Sequence, residues 1–220
     1  MSKLCVAYWD IRGLAEPIRL MLEWASVEYE DKRYKCQMVP PYDRSAWNDV
    51  KPTIGLDFPN LPYLIDGKVM ITESWAIMKH IARNHDLLPA KGEEHITDMA
   101  EGVVGDFRKS FTTICYSDFA AKCDDYFAKD LPVKLEKFEA WFSKHDWVGG
   151  NKLTYVDFAL CEILDQMQLA RGTALEGYPK VKAYLQTFEN LDKIKAYRES
   201  KRFNKQPCNN PKATWGGQPE

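Results

Sequence analysis

No stretch of this chain approaches the roughly 20 consecutive apolar residues that a membrane-spanning helix requires. Neither sign of charge dominates. Lys and Arg number 30 against 32 Asp and Glu, net −2, which argues against nucleic acid or an anionic membrane as the main partner. The N-terminus, MSKLCVAYWDIRG, has no secretory apolar core and already reads as a strand, so no signal peptide is expected. Cys5, Cys36, Cys115, Cys123, Cys161 and Cys208 are dispersed, without CxxC or metal-ligand spacing. Reduced thiols in a cytoplasmic protein are therefore expected, several of them core filler, and no disulfide framework. His80, His85, His95 and His145 form no ligand pair, so no metal site is expected. Internal repeats are absent.

What is present is a soluble, core-forming composition, 45% hydrophobic and 28% charged over 220 residues, enough for one large or two small domains. Lys3 to Tyr8 is a short β-forming run, and Trp9 to Gly13 reads as its exit loop. From Leu14 to Val27 apolar residues recur at helical spacing, with Pro17 tolerable in a first turn. Glu28 to Lys35 alternates charge with Tyr29 and Tyr34, as an edge strand does. Cys36 to Pro59 is a long irregular stretch with one short helix expected around Asp43 to Asp49.

The chain is organised around Asn60 to Ala82. Leu61-Pro62 opens a strand and is a candidate for a cis bond. Asp66-Gly67 between two apolar runs predicts a hairpin with a type I′ turn. Thr72 or Ser74 can then cap a helix whose free N–H groups and positive dipole end suit an anion. Alone, this pattern equally describes an ordinary hairpin and helix. Beyond Leu87-Leu88-Pro89-Ala90 helical periodicity runs from Glu93 to Glu199. It predicts one long helix over Glu93 to Tyr116, weakened by Gly102 and Gly105. A second, over Asp118 to Lys144, restarts near Leu131-Pro132. A third, nearly all-apolar, runs from Thr154 to Leu169 behind a capping-box spacing of Thr154 and Asp157. Shorter helices are expected near Pro179 to Phe188 and Leu191 to Ser200, then a Pro/Gly/Asn-rich tail, either a wrap-around arm or loose. The expected fold is α/β plus all-α: a βαβ-ββα domain over residues 1–85, then a helical bundle over 91–220.

With the strings YWDIRG (Tyr8 to Gly13), YDRSAW (Tyr42 to Trp47), GLDFPNLPYLIDG (Gly55 to Gly67) and LTYVDF (Leu153 to Phe158), the chain resembles the cytosolic glutathione transferases, the mu class in particular. The Pro-rich insertion at 36–43 fits that class. The resemblance spans residues 3 to 203; the tail matches mainly through Trp215. It implies a thioredoxin-like first domain and an enzyme that conjugates the glutathione thiolate to hydrophobic electrophiles, with glutathione a co-substrate and no permanently bound cofactor.

The resemblance also assigns residues. Tyr8 takes the catalytic tyrosine position, its phenol donating to the thiolate; lowering a thiol pKa by roughly two units needs about 2.7 kcal/mol. Trp9, Arg44, Trp47 and Lys51 would surround the glycyl carboxylate. Asn60 and the Leu61 backbone would hold the cysteinyl part, and Ser74 the γ-glutamyl carboxylate. Glu73, where the class usually has Gln, would meet the α-ammonium together with Asp106, reaching across a dimer. Tyr116 would act as general acid over an electrophile pocket lined by Ile11 and Leu14. Gly105, Lys109, Thr112 and Asn209 stand there where apolar residues are common, which implies a wider or more polar pocket. Phe58 would insert into a partner subunit, so a homodimer is implied. Competing readings are a non-catalytic, ligandin-type carrier of hydrophobic compounds and a thiol-disulfide oxidoreductase. The second needs a Cys just after the first strand, where this chain has Trp9 and Asp10.

Overall fold

The computed structural model describes residues 3–37 and 39–218. Met1 and Ser2 of the expected first domain, Met38 of the Pro-rich insertion and residues 219–220 of the tail lie outside them. The first module contains strands β1 (Leu4–Trp9), β2 (Tyr29–Tyr34), β3 (Tyr63–Asp66) and β4 (Val69–Thr72). Its helices are α1 (Glu16–Trp24), α2 (Ser45–Asn48) and α3 (Ser74–Asn84). The sheet order is β2-β1-β3-β4, with β1 and β2 parallel and the other neighbours antiparallel. The charged strand β2 is thus an edge, as its composition predicts.

The hairpin differs from expectation in its turn. Asp66 still pairs with Val69, leaving Gly67-Lys68 as the two-residue loop. Of these only Gly67 has positive φ (+61°), the pattern of a type II′ turn, whose first central position favours Gly. The start of α3 differs as well. Neither Thr72 nor Ser74 caps it: Glu73 is the N-cap residue, at φ 68° and ψ 117°, with no side-chain cap.

The second module begins with α4 (Glu94–Cys115), one unbroken helix despite its two glycines. Next come α5 (Phe119–Asp125), a single π-helical turn at Tyr126–Asp130, and α6 (Leu131–Phe142). The expected restart at Leu131-Pro132 is therefore a π bulge in one helical run, with Pro132 directly after it. Helix α7 (Tyr155–Ala170) is buried from Tyr155 through Met167 and opens on the predicted Thr154–Asp157 capping box. Helices α8 (Pro179–Glu189) and α9 (Asp192–Arg198) close the bundle.

The tail is a docked arm. Trp215 packs against Phe111 and Phe119, ring centroids 5.3 and 5.5 Å away. The Thr214 N–H donates to the Cys115 carbonyl at 2.7 Å. Further back, the N–H groups of Arg12 and Gly13 donate to the carbonyls of Pro207 (2.9 Å) and Cys208 (3.0 Å), pinning the β1–α1 loop. No helix among the described residues is long and apolar enough to cross a membrane.

Candidate functional site

Where β1 ends, the chain must turn sharply into α1, and that loop carries Tyr8 and its neighbours. Arg12, fully buried, anchors it to α7 through a two-pronged pair with Glu162 (Nε–Oε1 2.9 Å, Nη2–Oε2 2.6 Å) and a bond to Asp165. Arg19, equally buried, donates to the Ile11 carbonyl (3.0 Å), to Glu16 (3.0 Å) and to Asp31 (3.1 Å). Buried charges survive only when paired in this way, and breaking one such pair costs about 3–5 kcal/mol. Burial pushes the Glu162 carboxyl up in spite of Arg12. Asp165 is buried too, but with both Arg12 and Arg198 on it is held below the usual carboxylate range.

On this frame the Tyr8 side chain is 7% exposed. Burial pushes its phenol up, opposed by the Arg108 charge, the Leu14 N–H and the Arg19 charge. At neutral pH the hydroxyl therefore keeps its proton and is a donor. Tyr116 stands at the C-terminal end of α4, 43% exposed, and its oxygen accepts the Asn210 N–H at 2.8 Å. Its proton remains free to donate. Burial raises its phenol also, and the charges of Arg108 and the Tyr8 phenol both reach it.

The remaining expected site residues fall into two groups. Around the sheet edge, Trp9 and Arg44 are half-buried, and Lys51 is exposed just past α2. Trp47 is largely buried, its ring 5.4 Å from Tyr34 and 5.8 Å from Tyr63, whose hydroxyls bond each other at 2.9 Å. Leu61-Pro62 is cis. Asn60 Oδ1 accepts the Leu61 N–H (2.9 Å), and Asn60 Nδ2 donates to Glu73 (3.2 Å). Ser74 follows Glu73 as the first residue of α3. Asp106 is exposed on α4.

The expected electrophile-pocket residues are not brought together. Ile11 lines a cleft of about 380 Å³ with Trp9, Lys35, Cys36 and Asn210. Leu14 and Gly105 line a smaller inter-module pocket of about 130 Å³, with Ser74, Arg108 and Ile163. Asn209 faces neither: it is 3% exposed, and its side chain donates to the Trp215 carbonyl at 3.1 Å. The Thr112 hydroxyl is spent on the Arg108 carbonyl of its own helix (3.0 Å), so it adds no free polar group. Lys109 is exposed and lines neither cavity. Arg12, Gly13 and Arg108 escape a reading of the sequence, although an arginine in a short loop before an apolar helix is a signal for a buried ion pair.

Away from this site, Phe58 is 81% exposed. On the helical module an apolar groove of about 190 Å³ opens between Ile96, Met99 and Val103 of α4 and Phe138 and Trp141 of α6.

Comparison with known proteins then decides the family. The profile of the glutathione S-transferase N-terminal domain matches residues 5–83, and that of the C-terminal domain residues 105–201. Human glutathione S-transferase Mu 3 is 46% identical over 219 residues, covering 99% of this chain and 97% of that protein. The chain belongs to the mu class of the glutathione S-transferase family. A mouse glutathione S-transferase Mu 5 is 44% identical over 216 residues, 98% of this chain and 96% of that protein. Among solved structures, the glutathione S-transferase Blo t 8 superimposes with TM-score 0.86 at 35% identity, over 96% of this chain and 99% of its own. A pi-class glutathione S-transferase of Onchocerca volvulus gives 0.84 at 29% identity, over 97% and 100%. The thioredoxin-like character of the first module follows from the same matches.

Proposed function

We propose that this glutathione S-transferase ionises the glutathione thiol at Tyr8 and adds it to a hydrophobic electrophile held beneath Tyr116. The observation that carries this reading is the Tyr8 hydroxyl, protonated, buried at the end of β1 and opposed by cationic groups. A free thiol like that of glutathione is mostly protonated at neutral pH, and only the thiolate attacks well. A phenol donating to the sulfur stabilises the charged form in the low-dielectric cleft.

The peptide's carboxylates find donors on either side. Trp9, Arg44, Trp47 and Lys51 take the glycyl end, and the first N–H groups of α3 with Ser74 take the γ-glutamyl end. Leu61 pairs with the cysteinyl backbone, its N–H exchanging Asn60 for the peptide carbonyl. Glu73 faces the α-ammonium. Asp106 joins it from a second subunit, for the protein works as a homodimer in which Phe58 of one copy enters the apolar groove of the other. Four of its six cysteines are buried and all six are free, in keeping with a cytoplasmic setting.

Tyr8→Phe tests the assignment. The ultraviolet absorbance of bound thiolate should show the thiol pKa rising by roughly two units, with glutathione affinity within a few-fold of wild type. An unchanged thiol pKa would remove Tyr8 from catalysis.

A further inference from the structure

Arg12 uses each nitrogen of its guanidinium inside the protein. Nε and Nη2 form a fork onto Glu162 (2.9 and 2.6 Å), Nη2 also reaches Asp165, and Nη1 donates to the Lys205 carbonyl at 3.2 Å. Stability alone is a poor account of such a pair, because exchanging a buried ion pair for apolar residues of similar volume is often neutral or stabilising. What a two-point fork adds is direction, since it fixes the guanidinium in one plane. The two carboxylates divide this work unequally. Asp165 is shared: its other oxygen accepts from Arg198 (2.9 Å), which also pairs with Glu189. Both oxygens of Glu162 go to Arg12, and the one further hydrogen bond they accept among the described residues comes from the neutral Gln166 (2.7 Å). Glu162 is the group that aims Arg12.

The backbone carries that aim forward by one residue. The Arg12 carbonyl accepts from the N–H groups of Ala15 (3.1 Å) and Glu16 (3.0 Å), where α1 begins. Gly13 comes next, its N–H on the Cys208 carbonyl, and the Tyr8 phenol packs directly on it. With no side chain between the ring and this backbone, a shift of Gly13 is a shift of the phenol.

We infer that Glu162 is a positioning residue for conjugation: from the helical module, through Arg12 and Gly13, it sets the place of the Tyr8 hydroxyl against the glutathione sulfur. The inference rests on the glutathione-transferase reading of Tyr8. It makes ionisation of the thiol in the first module depend on the geometry of an ion pair with the second. Charge and position act here in opposite directions, which separates them. A carboxylate disfavours a nearby thiolate, so deleting its charge would by electrostatics alone make the thiol more acidic. Loss of position makes the thiol less acidic, because the phenol then donates poorly to the sulfur. Arg108 and Arg19, whose charges also reach the Tyr8 phenol, are the same in every variant below.

The experiment follows bound-thiolate absorbance against pH in wild type, Glu162→Gln and Glu162→Asp, with calorimetric glutathione affinity and kcat/KM for benzyl chloride beside it. Glu162→Asp keeps the charge but ends one methylene short of Arg12. Expected in both variants is a thiol pKa raised by about one unit, with kcat/KM down about tenfold near pH 6 and the loss shrinking as the thiol ionises unaided at higher pH. Glutathione affinity should stay within about threefold of wild type, since the peptide's own anchors are untouched. Added to Gly13→Ala, where the phenol is already displaced, Glu162→Gln should raise the thiol pKa by less than about 0.3 unit more, because two changes on one route do not add. An unchanged or lowered thiol pKa in Glu162→Gln would overturn the inference, and so would a full further rise on the Gly13→Ala background. If Glu162→Gln does not fold, the charge-balanced Arg12→Gln/Glu162→Gln variant carries the same expectation and the same refutation. Should wild type show no bound thiolate at any pH, the failure would lie with the transferase reading itself.

Discussion

A β-carbon placed on Gly13 would lie 2.6 Å from Cε1 and 2.9 Å from the hydroxyl oxygen of Tyr8. Gly13 also has φ +47°, a conformation that side chains other than hydrogen resist. The ring of Tyr8, the proposed catalytic tyrosine, thus rests directly against bare backbone. Gly13→Ala must push the phenol aside, and displacement of a catalytic group by about 1 Å can cost roughly 10²-fold in rate. We expect kcat to fall by about that factor while glutathione affinity changes only a few-fold. Steady-state kinetics with calorimetric glutathione binding would check it, and wild-type kcat in the alanine variant would contradict the packing argument.

Glu73 occupies a positive-φ position at the start of α3. Such backbone strain costs of order 1–3 kcal/mol in a non-glycine residue, and sites of function are where it persists. Glu73→Gly should raise stability by about 1 kcal/mol and, on the proposed role of Glu73 as partner of the α-ammonium, weaken glutathione binding at the same time. Urea unfolding and calorimetry on the same preparation separate the two effects. A variant both less stable and equally tight in binding would show that strain and recognition do not meet there.

Asp157 accepts from the N–H groups of Val148 (2.7 Å) and Thr154 (2.8 Å), the Thr154 hydroxyl (2.9 Å) and the Tyr184 hydroxyl (2.9 Å). Burial nonetheless pushes its carboxyl up to about 6. The folded state then holds the proton more firmly than the unfolded chain, so the contribution of this group is full below about pH 4 and is lost as pH rises through about 6. That loss amounts to roughly 3 kcal/mol. Asp157→Asn should remove this descent and cost about 1–2 kcal/mol through the weakened cap. Denaturation at pH 4.5, 6 and 7.5 tests it; parallel stability profiles for the two proteins would refute it.

Phe58 and the Met99–Val103 groove make a further expectation. An apolar side chain 81% exposed is tolerable in a monomer, but together with an unfilled apolar groove elsewhere on the same chain it points to self-association. Phe58→Ser, and independently Val103→Asp, should shift sedimentation at micromolar concentration from dimer towards monomer. A wild-type protein already monomeric there, with full activity, would rule the dimer out.

Much of this was legible in the sequence because it is local. A short β-forming run located β1, the Asp66-Gly67 turn between apolar runs located β3, a nearly continuous apolar run located α7, and the Thr154–Asp157 spacing located its cap, since each depends on neighbours close in sequence. Tyr8 was reachable through its motif. The charge of Arg108 near Tyr8 and Tyr116 was not, because it depends on segments remote in sequence. The positive φ of Glu73 is likewise set by the geometry joining β4 to α3 and overrides the capping preference of Thr72 and Ser74. The tail eluded periodicity because it is held by remote contacts, Trp215 on Phe111 and Phe119 and the Pro207 and Cys208 carbonyls on the loop after β1.

The contact of Pro207 and Cys208 with the loop after β1 bears on how the protein is made. As the chain leaves the ribosome, the β/α module emerges first, with the N–H groups of Arg12 and Gly13 still waiting for Pro207 and Cys208. The carboxylates that neutralise Arg12 are equally late, since they belong to α7. The loop after Tyr8 therefore gains these contacts last, although its residues are among the first to be translated. A nascent or prematurely terminated chain carries Tyr8 without the contacts that fix its loop, so such fragments should not turn over electrophiles.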